Sequence, residues 1–233
     1  MKGPNPLRRR GLLGGRAATW SALTLGLFLL VTLLIGLRLA DGIDLGAAGA
    51  ADATLGPLVE PRFTAVALLW SPEFCLLYGL VAAAVLWWRG WGFRSAAPLA
   101  FLLLVPVEVV AKYTLHRQPM PIDLKPWPPY PWVNPGFGGD GYYLSGSALR
   151  TAFFCLLVAM VLWRRDGGVA RLGSVVAATA SLLFGLIRVY GGYHWLTAEL
   201  SGQLLGAALA LLVGSLLADP IRRQDRPDGT RRT

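Results

Sequence analysis

Histidine and cysteine are scarce, with two of each in 233 residues. His116 and His194 are far apart in the chain, and Cys75 and Cys155 each lie inside an apolar run. No metal-ligand spacing or disulfide framework results. Neither a zinc site nor another cofactor is expected, and the thiols read as packed side chains. Charge is scarce as well: 15% of residues are charged against 55% hydrophobic. That composition excludes an ordinary soluble domain and fits a polytopic membrane protein. Acid is scarcer than base, with 13 Asp and Glu against 22 Lys and Arg, for a net charge of +9. Such an excess can signal nucleic acid. Here the basic residues fall in short clusters between apolar runs, as cytoplasmic loops do, so nucleic acid is rejected as a partner.

What the chain has is a series of apolar runs. Residues 1–16 carry Lys2, Arg8, Arg9, Arg10 and Arg16 and form a basic leader expected to be disordered. Residues 17–37 hold no charge and are long enough to span a bilayer. They are too long for a signal-peptide core and lack a convincing cleavage site. Residues 38–62 read as a Gly/Ala-rich acidic loop with Asp41, Asp44, Asp52 and Glu60. A second span is expected over 63–88, kinked at Ser71-Pro72-Glu73, with Glu73 facing the bundle interior. Further spans are expected at about 95–115, 145–163, 172–189 and 197–217. Residues 117–144 are a loop rich in Pro, Gly and aromatics that packs at the lipid headgroups. Residues 218–233 form a basic disordered tail. The expected fold class is all-α, one six-transmembrane-helix bundle over residues 17–217.

Charge selects the orientation. With both termini cytoplasmic, the leader, Arg89 and Arg94, the cluster Arg164, Arg165 and Arg171, and the five tail arginines all lie inside. Most of the basic residues then obey the positive-inside rule. The ends of spans three and five and the starts of spans four and six fall on the outer face. Those ends carry Lys112, His116 and Arg117, then Ser145 and Gly146, then Arg188 and His194. Arg188 can neutralise and fork an oxyanion. His194 can attack or transfer a proton. The start of span four can aim backbone N–H groups and a positive dipole end at an anion.

Blander readings stand beside these. His194 can be an interfacial aromatic beside Tyr193 and Trp195. Glu108, inside a span, is expected to pair with Lys112 at i, i+4. Ser145-Gly146 can be a plain helix start. Arg117 and Arg150 read as headgroup contacts rather than catalysts. A small transporter needs a polar path through the bilayer, and the spans hold too few charges for one.

Three stretches carry a resemblance: Lys112-Tyr-Thr-Leu-His-Arg-Gln-Pro-Met-Pro121, Leu144-Ser-Gly-Ser147, and Ile187-Arg-x5-His194-Trp-Leu-Thr-Ala-Glu199. Their order and spacing resemble the motifs of the type 2 phosphatidic acid phosphatase (PAP2) family, membrane relatives of vanadium haloperoxidases. Those motifs are Lys-x6-Arg-Pro, Pro-Ser-Gly-His and Ser-Arg-x5-His-x3-Asp. Lys112, Ser145, Gly146, Arg188 and His194 match directly. Leu144 and Ile187 depart from the pattern, and Pro119 stands where an arginine falls, with Arg117 two residues early. Ser147 replaces the second-motif histidine. Ala198 replaces the third-motif aspartate, with Glu199 one residue later.

The resemblance implies a phosphatase that needs no metal, with His194 as the nucleophile that forms a phosphohistidine. Lys112, Arg117, Ser145, Gly146 and Arg188 form the phosphate cradle. The leaving-group acid is missing, since a serine is too weak an acid near neutral pH; His116 is the candidate substitute. Glu199 is the candidate orienting group, although it lies about 100° around the helix from position 198. Expected partners are a lipid phosphate or prenyl pyrophosphate and membrane lipids, in a bacterial inner membrane with the site outside. Two functions stay open: an active phosphatase, and a non-catalytic relative that binds a lipid phosphate or acts as a scaffold.

Overall fold

The structure, a computed structural model, describes residues 6–55, 69–115, 143–163, 167–190 and 194–216. These residues are helical with short connections. Helix α1 is Pro6–Gly36, so it begins inside the leader expected to be disordered. Helix α2 is Asp41–Leu55 and α3 is Pro72–Trp88. A 3₁₀ helix over Gly92–Leu104 runs straight into α4, Val105–Thr114. Then come α5, Gly146–Trp163; α6, Gly168–Tyr190; and α7, Leu196–Leu216. Among the described residues, five helical segments are long and apolar enough to cross a bilayer, and α3, with 17 residues, is a shorter apolar helix. The tail lies outside the described residues, as do His116, Arg117 and the loop up to residue 142.

Two expectations about the first third of the chain are corrected. The acidic loop after span one contains helix α2. Ala40, Asp44 and Ala48 recur at i, i+4, i+8, and all are buried, so one face of this helix packs on the bundle. Ser71-Pro72-Glu73 starts a helix where a kink was expected. Ser71 is the N-cap, its hydroxyl accepts from Phe74 N, and Pro72 occupies the first turn, where its missing N–H costs nothing. Glu73 is exposed rather than turned inward.

The segment Gly92–Thr114 aims its last turn by a change of period. Its buried residues are Ser95, Pro98, Phe101 and Leu104, three apart, as a 3₁₀ helix requires. Glu108 follows at a spacing of four, where the helix has become α. Pro98 within the 3₁₀ run and Pro106 in the first turn of α4 both lack an N–H for the α ladder. The result is a glutamate buried at the end of the apolar stripe.

Helices α5 and α7 approach most closely. Ala198, Gly202, Gly206, Ala210 and Gly214 recur every four residues on α7, and all are buried. A Cβ on Gly202 would strike Ser145 O, and one on Gly206 would strike Leu149 O. The backbones therefore touch, as small residues permit between membrane helices. This contact holds the first turn of α5 against the first turn of α7, and Ser145 N donates to Ala198 O at 3.3 Å. Helix α1 lies along α7, with Ser21 Oγ bonded to Ala208 O. Tyr143, part of the aromatic loop expected at the headgroups, is instead fully buried and bonded to Thr32 of α1. Cys75 and Cys155 are free buried thiols.

Candidate active site

The site begins at the N-terminus of α5. Ser145 is the capping residue: its carbonyl accepts from Leu149 N and its hydroxyl from Ala148 N at 3.2 Å. The same hydroxyl donates to Glu199 Oε1 at 2.9 Å. Its one proton is thereby used, so in the contact with Ser147 Oγ at 3.3 Å it is Ser147 that donates. Ser145 is fully buried, and Ser147 is also buried.

Arg188, near the end of α6, reaches the same carboxylate oxygen. Its Nε donates to Glu199 Oε1 at 2.9 Å, and its guanidinium stacks over the Phe184 ring at 5.6 Å. Glu199 is 2% exposed. Its second oxygen, Oε2, is buried and has no hydrogen-bond partner among the described residues. That oxygen lies on the Gly185 side of α6, where the Gln203 amide is the nearer neighbour of the glycine. Glu199 therefore sits between α5 and α6, bonded to Ser145 and Arg188. Ala198, at the position expected to orient His194, is instead packed in the small-residue stripe against α5.

A second carboxylate serves the other cations. Lys112 Nζ lies 2.7 Å from Glu108 Oε1, one helical turn away, so the expected pair forms. Arg150 Nη1 lies 2.9 Å from Glu108 Oε2, and Arg150 Nε donates to Trp70 O. Arg150 is buried, which corrects its reading as a headgroup contact. The Glu108 carboxylate rests against the Cα of Gly146, so that a side chain at 146 would overlap it. A negative group thus sits at the positive end of α5, between a lysine and an arginine.

His194 precedes α7 by two residues. It is half-buried, with Nδ1 inside the protein. The first turn of α7 has no polar cap of its own: Trp195 supplies the carbonyl that accepts from Glu199 N, and its side chain carries no acceptor. The cap comes from α2, where buried Asp44 accepts from Thr197 N at 2.9 Å and Thr197 Oγ1 at 2.6 Å.

Of the expected site residues, Ser145, Arg188 and Glu199 share one hydrogen-bonded cluster. Lys112 belongs to the second, which touches Gly146, and the two clusters meet at the start of α5. His116 and Arg117 fall outside the described residues. Sequence reading missed Arg150 and Asp44 as buried partners. A glutamate inside a span was the signal for Arg150, and a helix opening on Tyr193-His194-Trp195 without a capping side chain was the signal for Asp44. Among the described residues, no three His, Cys, Asp or Glu side chains gather to hold a metal.

Comparison with known proteins extends these observations. No curated protein matches the chain. The crystal structure of a transmembrane PAP2 type phosphatidylglycerolphosphate phosphatase from Bacillus subtilis matches with a TM-score of 0.60 and 18% identity. The match covers 89% of this chain and 98% of that one. A likeness at that identity is one of fold. The family model described as the PAP2 superfamily matches residues 94–221, a stretch that holds α4 to α7 and every residue of the two clusters. The chain belongs to the PAP2 superfamily.

Proposed function

We propose that this protein is a phosphatase that hydrolyses a lipid phosphate or isoprenoid (pyro)phosphate through a phosphohistidine on His194. The observation that carries the reading is the shared oxygen: Ser145 Oγ and Arg188 Nε both donate to Glu199 Oε1 at 2.9 Å. Donors arranged around one oxyanion suit a phosphoryl oxygen equally well. Lys112 and Arg150 hold a second oxyanion, the Glu108 carboxylate, against the Cα of Gly146 beside it. A substrate phosphate competes with these two carboxylates for their donors. Arg117 adds a further cation from the segment after α4.

In this reading the acyl or prenyl tail stays in lipid, and the phosphate enters at the extracytoplasmic surface of a bacterial inner membrane. A nitrogen of His194 attacks phosphorus, the N–P bond forms, and the bond to the leaving oxygen breaks. Lys112, Arg188 and the start of α5 hold the charge that collects on the equatorial oxygens. Water then attacks the phosphohistidine and frees phosphate and His194. Ser147 stands where the leaving-group acid belongs, and the loss of a positioned acid costs about 10²–10⁴-fold. A pyrophosphate leaves without much help, so it is the substrate least affected; His116 is the candidate donor for poorer leaving groups.

A second reading is favoured by the same pairs. Glu108 and Glu199 already neutralise Lys112 and Arg188, as they would in a protein that binds lipid phosphate without turnover or serves as a scaffold. Purified protein in mixed micelles, offered diacylglycerol phosphates and prenyl pyrophosphates, decides between them. The phosphatase reading expects phosphate release that His194→Ala abolishes. Binding of both panels with no release supports the non-catalytic reading.

A further inference from the structure

The aspartate that orients the nucleophile is missing from α7, because Ala198 is sealed against α5 in the small-residue stripe. A carboxylate nevertheless reaches the adjacent residue from another part of the chain. Asp44 of α2 is 1% exposed, and both its oxygens bind Thr197, one the backbone N–H and the other the hydroxyl. A buried aspartate is costly unless it is fully engaged, and these bonds engage it. They also satisfy one of the orphan N–H groups that open α7 and place negative charge at its positive end.

Helix α2 packs on both α6 and α7. Arg188 lies in the last turn of α6, and His194 lies just before α7. The connection between them includes Gly191-Gly192, a pair with little conformational preference of its own. The separation of Arg188 from His194 is therefore set by how the two helices are held, and α2 packs on both and binds the start of α7.

We infer that Asp44 is a positioning residue for His194: by capping Thr197 it fixes the entry into α7 and holds the nucleophile in register with the Arg188 side of the cradle. The inference rests on the phosphatase reading. Asp44 acts through the backbone of residues 195–197, and its two bonds to Thr197 use none of the donors to Glu199 or Glu108. Its loss therefore lowers the rate of the chemical step and spares substrate binding, since small misplacement of a reacting group is felt mainly in the rate.

The test compares wild type, Asp44→Ala, Asp44→Asn and Thr197→Val in mixed micelles, with a prenyl pyrophosphate and a phosphatidylglycerol phosphate as probes. Thermal unfolding in detergent reports folding of each variant. For Asp44→Ala, kcat is expected to fall about 10²-fold with KM within about twofold. Asp44→Asn keeps an acceptor for Thr197 N and is expected to recover most of the loss. Thr197→Val keeps the backbone N–H and is expected to lose less than Asp44→Ala. If Asp44→Ala does not fold, the Asn and Val variants carry the test through the same split between kcat and KM. Folded variants with wild-type kcat, or with KM raised and kcat unchanged, overturn the assignment while the phosphatase reading stands. Wild-type protein that releases no phosphate from either probe overturns the phosphatase reading and this assignment with it.

Discussion

Arg188 and the buried Glu199 form an ion pair at 2.9 Å between the end of α6 and the start of α7. The cation proposed to hold a phosphate is therefore paired within the protein. Removing the carboxylate takes its 2.9 Å partner from an arginine that is largely shielded from solvent. Glu199→Ala is expected to destabilise the protein by about 3–5 kcal/mol. Glu199→Gln keeps an acceptor for both Ser145 and Arg188 and is expected to cost less. Unfolding in detergent ranks the two, and added vanadate or phosphate is expected to restore part of the Glu199→Ala loss by supplying the missing negative charge.

Gly146 and Glu108 couple by contact. A methyl group at 146 overlaps the Glu108 carboxylate and forces it away from Lys112 and Arg150. Gly146→Ala is therefore expected to destabilise the wild-type protein more than it destabilises Glu108→Ala. A double-mutant cycle measures the difference, with an expected coupling of about 0.5–3 kcal/mol. Additive effects contradict the contact.

The backbone contact of α5 with α7 predicts intolerance at two glycines. Gly202→Ala and Gly206→Ala drive a methyl group into Ser145 O and Leu149 O, which are main-chain atoms and cannot swing aside. Each is expected to cost about 1–3 kcal/mol. Gly202→Ala should also lower activity, because it displaces the residue that caps α5. Gly26→Ala, on α1 with open space around it, is the control and is expected to be neutral.

Much of this architecture was legible in the sequence, and the gaps have physical causes. The uncharged run at 17–37 and the apolar runs from residue 95 onward marked helices because a bilayer demands length and hydropathy. The Glu108–Lys112 pair followed from i, i+4 spacing within one helix. Arg150 did not, since its partner lies 42 residues away on another helix. Helix α2 was hidden because Gly and Ala give no amphipathic contrast. Its helical face shows only once Asp44 is seen to bind Thr197, 153 residues on. Ser71-Pro72-Glu73 carries both a breaker and a start signal, and the N-cap reading prevailed. Glu199 was expected to act only through a rotated helix entry. It is held instead by Ser145 and Arg188, which both donate to its Oε1.

Ser147 offers a gain-of-function prediction. It stands beside Ser145 at the start of α5, where the superfamily motif carries a histidine. Ser147→His is expected to raise turnover of a lipid monophosphate by about 10²-fold, the lower end of what a positioned general acid contributes. Turnover of a prenyl pyrophosphate, which needs the acid less, is expected to change little. Equal gains for both substrates contradict the argument from the leaving group.

If His194 carries the phosphoryl group, the phosphohistidine can be trapped on it. Protein mixed with phosphatidylglycerol phosphate or prenyl pyrophosphate bearing radiolabelled phosphate is quenched rapidly in base, which preserves phosphohistidine. Digestion then locates the label. Label is expected on the peptide containing His194, and none in His194→Ala or in wild type chased with unlabelled substrate. Phosphate release without label on His194, or release that persists in His194→Ala, contradicts it.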